Sequence, residues 1–401
     1  MSFERLWAEL LPVGRSDQGG YRRFSWTPAD LDGRAWFADT ARGIGLDVET
    51  DRNGNQWAWW GSGGDAVVTG SHLDSVPDGG AFDGPLGVVS SLAAVAALRS
   101  RGVAPARPVA VVNFVEEEGA RFGVPCLGSR LLTGAIAPSR ARELRDSDGV
   151  SWADAMTDAD LDATGLGADP ARLASIGTFV ELHVEQGRGL VESGAAVGVA
   201  SAIWPHGRWR FEFAGEANHA GTTRLADRRD PMLTFAATVL GAREQAAQAG
   251  ALATFGRVAV EPNGTNAIAS LVRAWLDSRA PDERSLARVV EAVTSLAAER
   301  GDRDGVKVTV TAESETPVVE FTASLRDELA WLVGRDDGPA PILPTGAGHD
   351  AGVLSAHVPT AMLFVRNPTG VSHAPGEYAG PDDCLAGVEA LTTVLAHLAT
   401  R

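Results

Sequence analysis

The 401-residue sequence predicts an α/β protein in which a largely parallel sheet carries a smaller, inserted α+β domain. Two observations support this fold class. Short apolar segments alternate with helical segments in the first half of the chain, which is the pattern of strands joined by crossover helices. The middle of the chain instead follows the order βαββαβ with half-polar strands, which is typical of a ferredoxin-like unit.

The elements of the larger domain are predicted from continuous apolar runs and one small-residue helix. Four strands and two helices are expected, namely DAVVTG (65–70), a helix at 85–100, PVAVVNFV (108–115), TFVELHVEQG (178–187), a strand at 359–367 and a helix at 382–400. Functional residues of parallel sheets collect at the carboxyl ends of the strands. The polar residues that follow these runs are therefore the first candidates for a site.

The middle of the chain has a different pattern of polar and apolar residues. The segment RWRFEFAG alternates polar and apolar residues, as a strand with one covered face does. The expected elements are a strand at 208–215, a helix beginning near Pro231, strands at 253–260 and 269–279, an amphipathic helix at 282–299 and a strand at 305–312. We expect residues 1–204 and 316–401 to form the larger domain and residues 205–315 to form the inserted one.

Charge and cysteine content exclude several classes of protein. The formal net charge of −17 argues against a nucleic-acid surface, which needs a basic face. The two cysteines, Cys126 and Cys384, lack CxxC spacing, so neither a disulfide framework nor a thiolate metal site is expected. The N-terminal segment lacks a signal-peptide pattern, and the most apolar run, Val88 to Leu98, is shorter than the roughly 20 residues of a membrane span. We expect a cytoplasmic protein without membrane or nucleic-acid partners.

Residue types that bind divalent metals occur in four glycine-flanked segments. His72 and Asp83 lie in GSHLDSVPDGGAFDG, Glu118 in EEEG, His183 in ELHVEQG and His373 in GVSHAP. Taken singly, each has a simpler explanation: a histidine on a strand is usually a packing residue, and a glutamate run is often a solvated loop. Their combination favours a two-metal hydrolase.

Three further histidines have simpler interpretations. His357 and His397 are assigned to structure, and the pair His349–Asp350 in GAGHDAG is equally compatible with a loop-shaping role.

The spacing of these residues suggests individual roles. His72 and Asp74 are two apart on extended backbone, so the Asp74 carboxylate could fix the imidazole tautomer or approach the metal. Asp83 lies among glycines that permit a tight turn, as a carboxylate bridging two metals requires. In the run 116–118, one glutamate is expected to bind metal and another to act as general base toward a water that the metals acidify.

The motifs resemble the dinuclear-metal amidohydrolases that include N-carbamoyl-L-amino-acid hydrolase, allantoate amidohydrolase and β-ureidopropionase, within the larger aminoacylase and carboxypeptidase group. The resemblance spans about residues 65–390 and rests on GSHLDSVPDGGAFDGPLGV, EEEGARF, ELHVEQG, NHAGTT, PNGTNAI, GAGHDA and GVSHAPGEY. It implies a metallopeptidase-like catalytic domain with an inserted lid and dimerisation domain. It also implies two divalent ions per subunit, of which Zn²⁺, Mn²⁺, Co²⁺ and Ni²⁺ suit the ligands.

The resemblance also implies roles for individual residues. Glu117 becomes the general base, with Glu116 as an acidic neighbour and Asp74 as the partner of His72. His219, in NHAGTT, would polarise the scissile carbonyl across a homodimer formed through the inserted domain. The implied metal ligands are His72, Asp83 as the bridge, Glu118, His183 and His373.

Substrate-binding roles are implied for Asn266 and Arg279, with Arg279 pairing with a substrate carboxylate. Without the resemblance, Arg279 would be interpreted as a surface arginine at a strand end. Two positions depart from the family pattern: His206 replaces a customary glutamine, and Arg224-Leu225 follow NHAGTT in place of Pro-Met. Both departures concern the expected substrate pocket, so we expect a bulkier or differently charged N-acyl group to be possible.

The sequence therefore predicts a metal-dependent amidohydrolase that cleaves the linear C–N bond of an N-carbamoyl-L-amino acid or a related ureido or N-acyl compound. Allantoate hydrolysis and N-acyl-amino-acid or dipeptide hydrolysis are the alternatives of the same chemistry. A metal-free, catalytically inactive binding protein of the same fold is the alternative from another class. Because the implied catalytic residues are split between two domains, closure of the inserted domain is expected to assemble the site.

Overall fold

The computed structural model describes residues 1–335 and 338–401. The chain divides into two compact units: unit 1 comprises Met1–Ala202 and Glu320–Arg401, and unit 2 comprises Ile203–Val319. These boundaries lie within a few residues of those expected from the sequence.

Each strand and helix predicted from the sequence is present among the described residues, with ends that differ by up to about five residues, and the structure contains further elements that were not predicted. The strands are β1 (Asp47–Thr50), β2 (Gln56–Trp60), β3 (Ala66–His72), β4 (Val109–Phe114), β5 (Ile176–Val184), β6 (Val197–Ile203), β7 (His206–Ala214), β8 (Asn218–His219), β9 (Leu252–Glu261), β10 (Ala267–Ile268), β11 (Leu271–Arg279), β12 (Lys307–Thr316), β13 (Val319–Glu320), β14 (Ile342–Thr345) and β15 (Thr360–Val365). The α-helices are α1 (Phe3–Leu10), α2 (Pro28–Ile44), α3 (Pro85–Ser100), α4 (Leu127–Thr133), α5 (Pro138–Glu143), α6 (Trp152–Asp158), α7 (Pro170–Ser175), α8 (Gly189–Glu192), α9 (Pro231–Ala249), α10 (Glu283–Asp304), α11 (Ala323–Leu332), α12 (Asp350–Leu354) and α13 (Pro381–Ala399).

Unit 1 is built on a nine-stranded sheet with the order β1-β2-β4-β3-β5-β15-β6-β13, and β14 pairs with β6. The four central strands β4, β3, β5 and β15 run parallel, whereas β1, β2 and β6 pair antiparallel toward the edges. This arrangement confirms the predicted α/β class with a largely parallel sheet.

The central strands are buried on both faces, which explains their continuous apolar runs. Helix α3 packs against β3 and β5 and is itself almost entirely buried, so small residues replace the usual polar face. Gly87 shows how close this packing is. A Cβ atom there would lie 2.2 Å from the carbonyl oxygen of Leu182 in β5.

Unit 2 is an antiparallel sheet with the order β12-β7-β11-β9, connected as a βαββαβ unit. Alternate residues of β7 and β11 are buried, because α9 and α10 cover one face of the sheet. The aromatic residues Phe211, Phe213 and Phe235 form the centre of a separate hydrophobic core. Strands β8 and β10 form a two-stranded ribbon of their own.

Within residues 1–335 and 338–401, none of the helices combines the length and apolarity that a bilayer crossing requires.

Candidate metal centre

Three adjacent parallel strands bring the first metal-binding residue types together. Strand β3 ends at His72, β5 carries His183 next to its last residue, and β4 leads directly into the glutamate run 116–118. Since β4, β3 and β5 are neighbours with the same direction, their carboxyl ends meet at one edge of the sheet.

Two groups of ligand atoms meet at Asp83. His72, Asp83 and His183 form one group, and Asp83, Glu118 and His373 form the other, with the ligand atoms of each within 4.8 Å of one another. Oδ1 of Asp83 lies 3.6 Å from Nε2 of His72 and 3.2 Å from Nε2 of His183. Oδ2 lies 3.3 Å from Nε2 of His373. One carboxylate thus offers an oxygen to each group, as a carboxylate shared by two metals must.

The surroundings of the two buried histidines fit a metal. Nδ1 of His72 lies 3.0 Å from the carbonyl oxygen of Asp74, and Nδ1 of His183 lies 2.9 Å from that of Val184. A carbonyl only accepts, so each Nδ1 carries the proton in a neutral ring and each Nε2 keeps a free lone pair. Both Nε2 atoms are buried without a hydrogen-bond partner in the described structure. A cation bound between these Nε2 atoms and the nearby carboxylates would give each nitrogen the partner that it lacks.

The nearest contact between Asp74 and His72 is through the main chain, whereas the sequence suggested the side chain. The hydrogen bond to His72 comes from its main-chain carbonyl, whereas its carboxylate oxygen Oδ1 is 3.6 Å from Nδ1. The carboxylate instead accepts the amide N–H groups of Glu117 and Glu118, at 3.2 and 3.0 Å. Its side chain therefore holds the glutamate run in place, because those two amides are the nearer donors.

The carboxyl groups of the glutamate run are difficult to ionise without a cation. Burial, reinforced by the charge of Asp83, raises the pKa of Glu118 to about 7. Burial and the charge of Asp74 raise the pKa of Glu116 to about 8, and burial raises that of Glu117 well above its usual value. The hydrogen bond with Asp83 raises the pKa of His373 to about 9. A divalent cation would reverse this balance by favouring the carboxylates and the neutral histidine.

Glu117 belongs to neither group of ligand atoms. Its side chain is buried, its Oε2 lies 3.6 Å from Nε2 of His72, and its Oε1 accepts a hydrogen bond from the thiol of Cys126 at 3.3 Å. A carboxylate beside the ligands but outside both groups is placed as a general base requires.

The structure adds residues that the sequence analysis did not select. The ring of His349 lies 4.5 Å from that of His183, and both of its nitrogens are buried without a hydrogen-bond partner among the described residues. Glu181, His183 and His349 form a third group of possible ligand atoms. The position of Glu181, two residues before His183 on one strand, was a signal that could have identified it. His397, assigned to structure, pairs with Glu328 at 2.6 Å.

Glu377 joins the loops that carry Asp83 and His373. Its Oε2 accepts the amide N–H groups of Phe82 and Asp83, both at 2.9 Å, and its Oε1 accepts the hydroxyl of Ser372 at 3.3 Å. Gln186 donates to Oδ2 of Asp83 at 2.8 Å. The position of Asp83 between the two groups of ligand atoms is therefore held from several directions.

The predicted substrate residues all lie in unit 2. His219, on β8, pairs in register with Ala267, and the carbonyl of Asn266 accepts the amide of Ala220 at 2.9 Å. His219 and Asn266 thus share one ribbon.

His206 and Arg279 are paired residues on neighbouring strands β7 and β11. Arg279 forms an ion pair with Asp277 at 2.8 Å. Nδ1 of His206 lies 3.0 Å from the carbonyl of Trp204, and burial lowers the pKa of this histidine.

Comparison with known proteins gives consistent matches along the chain. Residues 68–397 match the family described as peptidase family M20/M25/M40. The chain is 36% identical to the N-carbamoyl-L-amino acid amidohydrolase of Geobacillus stearothermophilus, covering 99% of this chain and 98% of that protein. It is 30% identical to the allantoate amidohydrolase of Escherichia coli K12, covering 99% and 98%. A solved hydantoinase/carbamoylase family amidase from Burkholderia vietnamiensis superposes with a TM-score of 0.88 at 27% identity, covering 100% and 98%.

Proposed function

Since this chain belongs to peptidase family M20/M25/M40, we propose that it is an amidohydrolase that cleaves the linear C–N bond of an N-carbamoyl-L-amino acid. The observation that carries this proposal is the carboxylate of Glu117, which lies beside two ligand groups that share Asp83 and belongs to neither of them. The 36% identity to a carbamoyl-amino-acid amidohydrolase over nearly the whole chain supports the substrate class.

Two divalent ions are part of this proposal. His72, Asp83 and His183 would hold one ion, and Asp83, Glu118 and His373 would hold the other. Imidazole and carboxylate ligands suit zinc, manganese, cobalt or nickel. When bound, the ions would polarise the substrate carbonyl and lower the pKa of the attacking water.

Glu117 moves the proton in the proposed reaction. Its Oε2 takes a proton from the attacking water and delivers it to the leaving nitrogen, so the carboxylate is regenerated in each turnover. Attack on a carbamoyl group releases the free L-amino acid, and the carbamate formed with it gives ammonia and carbon dioxide. Asp74 keeps the base in place through the amides of Glu117 and Glu118.

Unit 2 would supply the residues that bind the substrate. Arg279 and Asn266 hold its carboxylate end, His219 donates to the carbonyl oxygen in the transition state, and His206 influences side-chain selectivity. The ion pair of Arg279 with Asp277 keeps the guanidinium oriented before the substrate arrives.

A homodimer through unit 2 belongs to the same proposal, with His219 acting in the site of the partner subunit. Helix α9 exposes Leu233 and Leu240, and the edge strand β9 exposes Leu252 and Val258. Exposed apolar side chains on a helix and an open strand edge favour association between copies. A cytoplasmic location is also proposed, in keeping with two buried, unpaired cysteines.

The test is a panel of substrates given to protein reconstituted with each metal. Ammonia and free amino acid are measured in parallel on N-carbamoyl-L-amino acids, allantoate, N-acetyl-amino acids and dipeptides. Turnover of the carbamoyl compounds with release of both products is expected. Release of amino acid from N-acetyl compounds or dipeptides alone would contradict the proposed substrate class.

Allantoate hydrolysis is the second candidate. It is favoured by relatives named allantoate amidohydrolase, at 30% identity in Escherichia coli and 32% in Bacillus subtilis. Ammonia release from allantoate, with none from carbamoyl-amino acids, would establish it. A purified protein that retains no divalent metal and hydrolyses none of the panel would instead be a binding protein of this fold.

The general-base role makes a first mutational prediction. Glu117→Gln keeps the size of the side chain but cannot accept a proton, so kcat should fall by roughly 10²–10⁴-fold. Metal content, measured by mass spectrometry of the purified protein, should stay at the wild-type level because Glu117 belongs to neither ligand group. Wild-type turnover in a fully metal-loaded variant would show that another group is the base.

A further inference from the structure

The two carboxylate oxygens of Glu117 have different surroundings. Oε2 lies 3.6 Å from Nε2 of His72, on the side of the ligand groups. Oε1 accepts a hydrogen bond from the thiol of Cys126 at 3.3 Å. Within residues 1–335 and 338–401, this thiol is the only group that donates a hydrogen bond to the carboxylate. We propose that Cys126 is a positioning residue for the reaction, which holds Oε1 so that Oε2 faces the metal centre.

The backbone fixes the thiol relative to the base. Cys126 precedes the first residue of α4 and has a φ of 53°, in the left-handed region that non-glycine residues seldom adopt. Its amide donates to the carbonyl of Glu117 at 2.6 Å, and the next two amides donate to the carbonyls of Glu116 and Val115, both at 3.0 Å. Three consecutive hydrogen bonds therefore fasten the start of α4 to the segment that carries the base. Such a strained conformation persists only where its surroundings maintain it.

The thiol keeps its proton in this environment. Cys126 is buried, and burial together with the negative charges of Glu117 and Asp350 raises the pKa of its thiol well above the usual value. It therefore acts as a hydrogen-bond donor and is a poor nucleophile, since the thiolate is the reactive form. A thiol is also a weak donor, so it restrains the oxygen while stabilising the carboxylate charge only slightly. That combination suits a group that must be oriented and must still accept a proton.

The inference rests on the proposed role of Glu117 as general base, and it predicts a particular kinetic pattern. Cys126→Ala removes the donor, so kcat should fall roughly three- to tenfold, the range of one ordinary hydrogen bond. KM and metal content should stay within twofold of wild type, because the thiol contacts the base and none of the ligands. Cys126→Ser should restore most of kcat, since a hydroxyl also donates. Cys384→Ala is the matched control, a buried cysteine in α13, and should leave kcat unchanged.

A spectroscopic measurement tests the contact without relying on turnover. In the metal-loaded Cys384→Ala protein, Cys126 carries the single thiol, and its S–H stretching band can be followed by infrared spectroscopy. Adding Glu117→Gln replaces a charged acceptor by a neutral one, so the band should move to higher frequency as the hydrogen bond weakens. This measurement also serves if Cys126→Ala does not fold.

The outcomes separate the two proposals. Wild-type kcat in folded, metal-loaded Cys126→Ala, or an S–H band that Glu117→Gln does not shift, would overturn the positioning role of Cys126. Undiminished turnover of Glu117→Gln would instead refute the general base, and the infrared band would still report whether the thiol binds that carboxylate.

Discussion

At the scale of single residues, the candidate site depends on main-chain groups as much as on side chains. The carbonyls of Asp74 and Val184 set the tautomers of His72 and His183, and amides of the glutamate run hold the carboxylate of Asp74. A backbone carbonyl accepts a hydrogen bond and cannot donate one, so the proton of each neutral imidazole is held on Nδ1. Both Nε2 atoms are thereby left available to a metal, as the proposed ligand roles of His72 and His183 require.

Glu377 gives a prediction about metal affinity. Glu377→Gln replaces the charged acceptor of the Phe82 and Asp83 amides by a neutral one, so these two hydrogen bonds should weaken. The loop that carries Asp83 should then be held less firmly. We expect metal affinity to fall about 10–100-fold, the usual effect of losing an outer partner of a ligand. Competition with a fluorescent chelator measures this affinity.

The control for this variant is Glu389→Gln, which removes an exposed carboxylate that pairs with Arg101 at 3.2 Å. It should bind metal as the wild type does. Equal affinities for both variants would mean that Glu377 plays no part in holding Asp83.

Asp30 gives a prediction about pH. It is buried in the first turn of α2, where its carboxylate accepts the amide of Trp26 at 2.8 Å, and burial raises its pKa from 3.8 to about 6. A carboxyl with a raised folded-state pKa contributes stability that is present in full below about pH 4 and is lost as the pH rises through about 6. The free energy lost is roughly 2–3 kcal/mol, at about 1.4 kcal/mol per pKa unit.

Asp30→Asn keeps the shape of the side chain and removes this titration. The unfolding free energy of wild type minus that of the variant should therefore fall between pH 4 and pH 7, as measured by chemical denaturation at each pH. A difference that stays constant with pH would show that Asp30 has an ordinary pKa.

At the scale of elements, the site is produced by three parallel strands and one closely packed helix. Strands β3, β4 and β5 end at the same edge, and α3 lies across β3 and β5. The strand ends carry His72 and His183, so the distance between these ligands depends on how β3 and β5 pack under the helix.

Gly87 tests this dependence. In Gly87→Ala the new Cβ would meet the Leu182 carbonyl at 2.2 Å and Cβ of Ser71 at 2.7 Å, so helix or strands must shift. We expect a loss of about 1–3 kcal/mol of stability, as for other overpacked sites, with weaker metal binding. Thermal unfolding and a metal titration measure the two effects.

A second helical glycine serves as the comparison. Gly43, in α2, is exposed and has only the end of the Met1 side chain near it, at 3.7 Å. Gly43→Ala should be neutral or stabilise the helix by up to about 1 kcal/mol. If both substitutions had the same effect, the close contact at Gly87 would not determine stability.

At the scale of the whole molecule, the chain has two compact units with separate hydrophobic cores. The proposed metal ligands all belong to unit 1, whereas His206, His219, Asn266 and Arg279 belong to unit 2. Metal binding and substrate recognition are thus assigned to different folding units.

Removal of the metal should therefore lower the stability of unit 1 and leave that of unit 2 unchanged. A ligand that binds only the folded state stabilises the part of the protein that holds it. Calorimetry of the chelated protein should show a lower unfolding temperature for the transition of unit 1 and an unchanged one for unit 2. Isolated unit 2, residues 203–319, provides the reference transition. Equal shifts of both transitions would show that the units unfold as one.

The fold class, the order of the main strands and helices and the residues of the proposed metal centre could all be predicted from the amino-acid sequence. Hydrophobic periodicity depends on local geometry, so β3, β5 and the βαββαβ order of unit 2 could be predicted without knowing any contact. The five proposed ligands were identifiable because metal-binding residue types stand beside glycines in specific motifs.

The contacts among these residues could be recognised only in the folded structure. The contact between Glu377 and the loop of Asp83 joins residues 294 apart in the chain, and no local pattern indicates it. Likewise, the acceptor for His72 proved to be the carbonyl of Asp74, since a main-chain carbonyl is present at every residue and leaves no sequence signal. The thiol of Cys126 lies nine residues from Glu117 and reaches it because the backbone reverses direction between them. A hydrogen bond depends on its angle and on differences of a few tenths of an ångström in the donor–acceptor distance. Those quantities are set by how the chain packs, and residue composition does not reveal them.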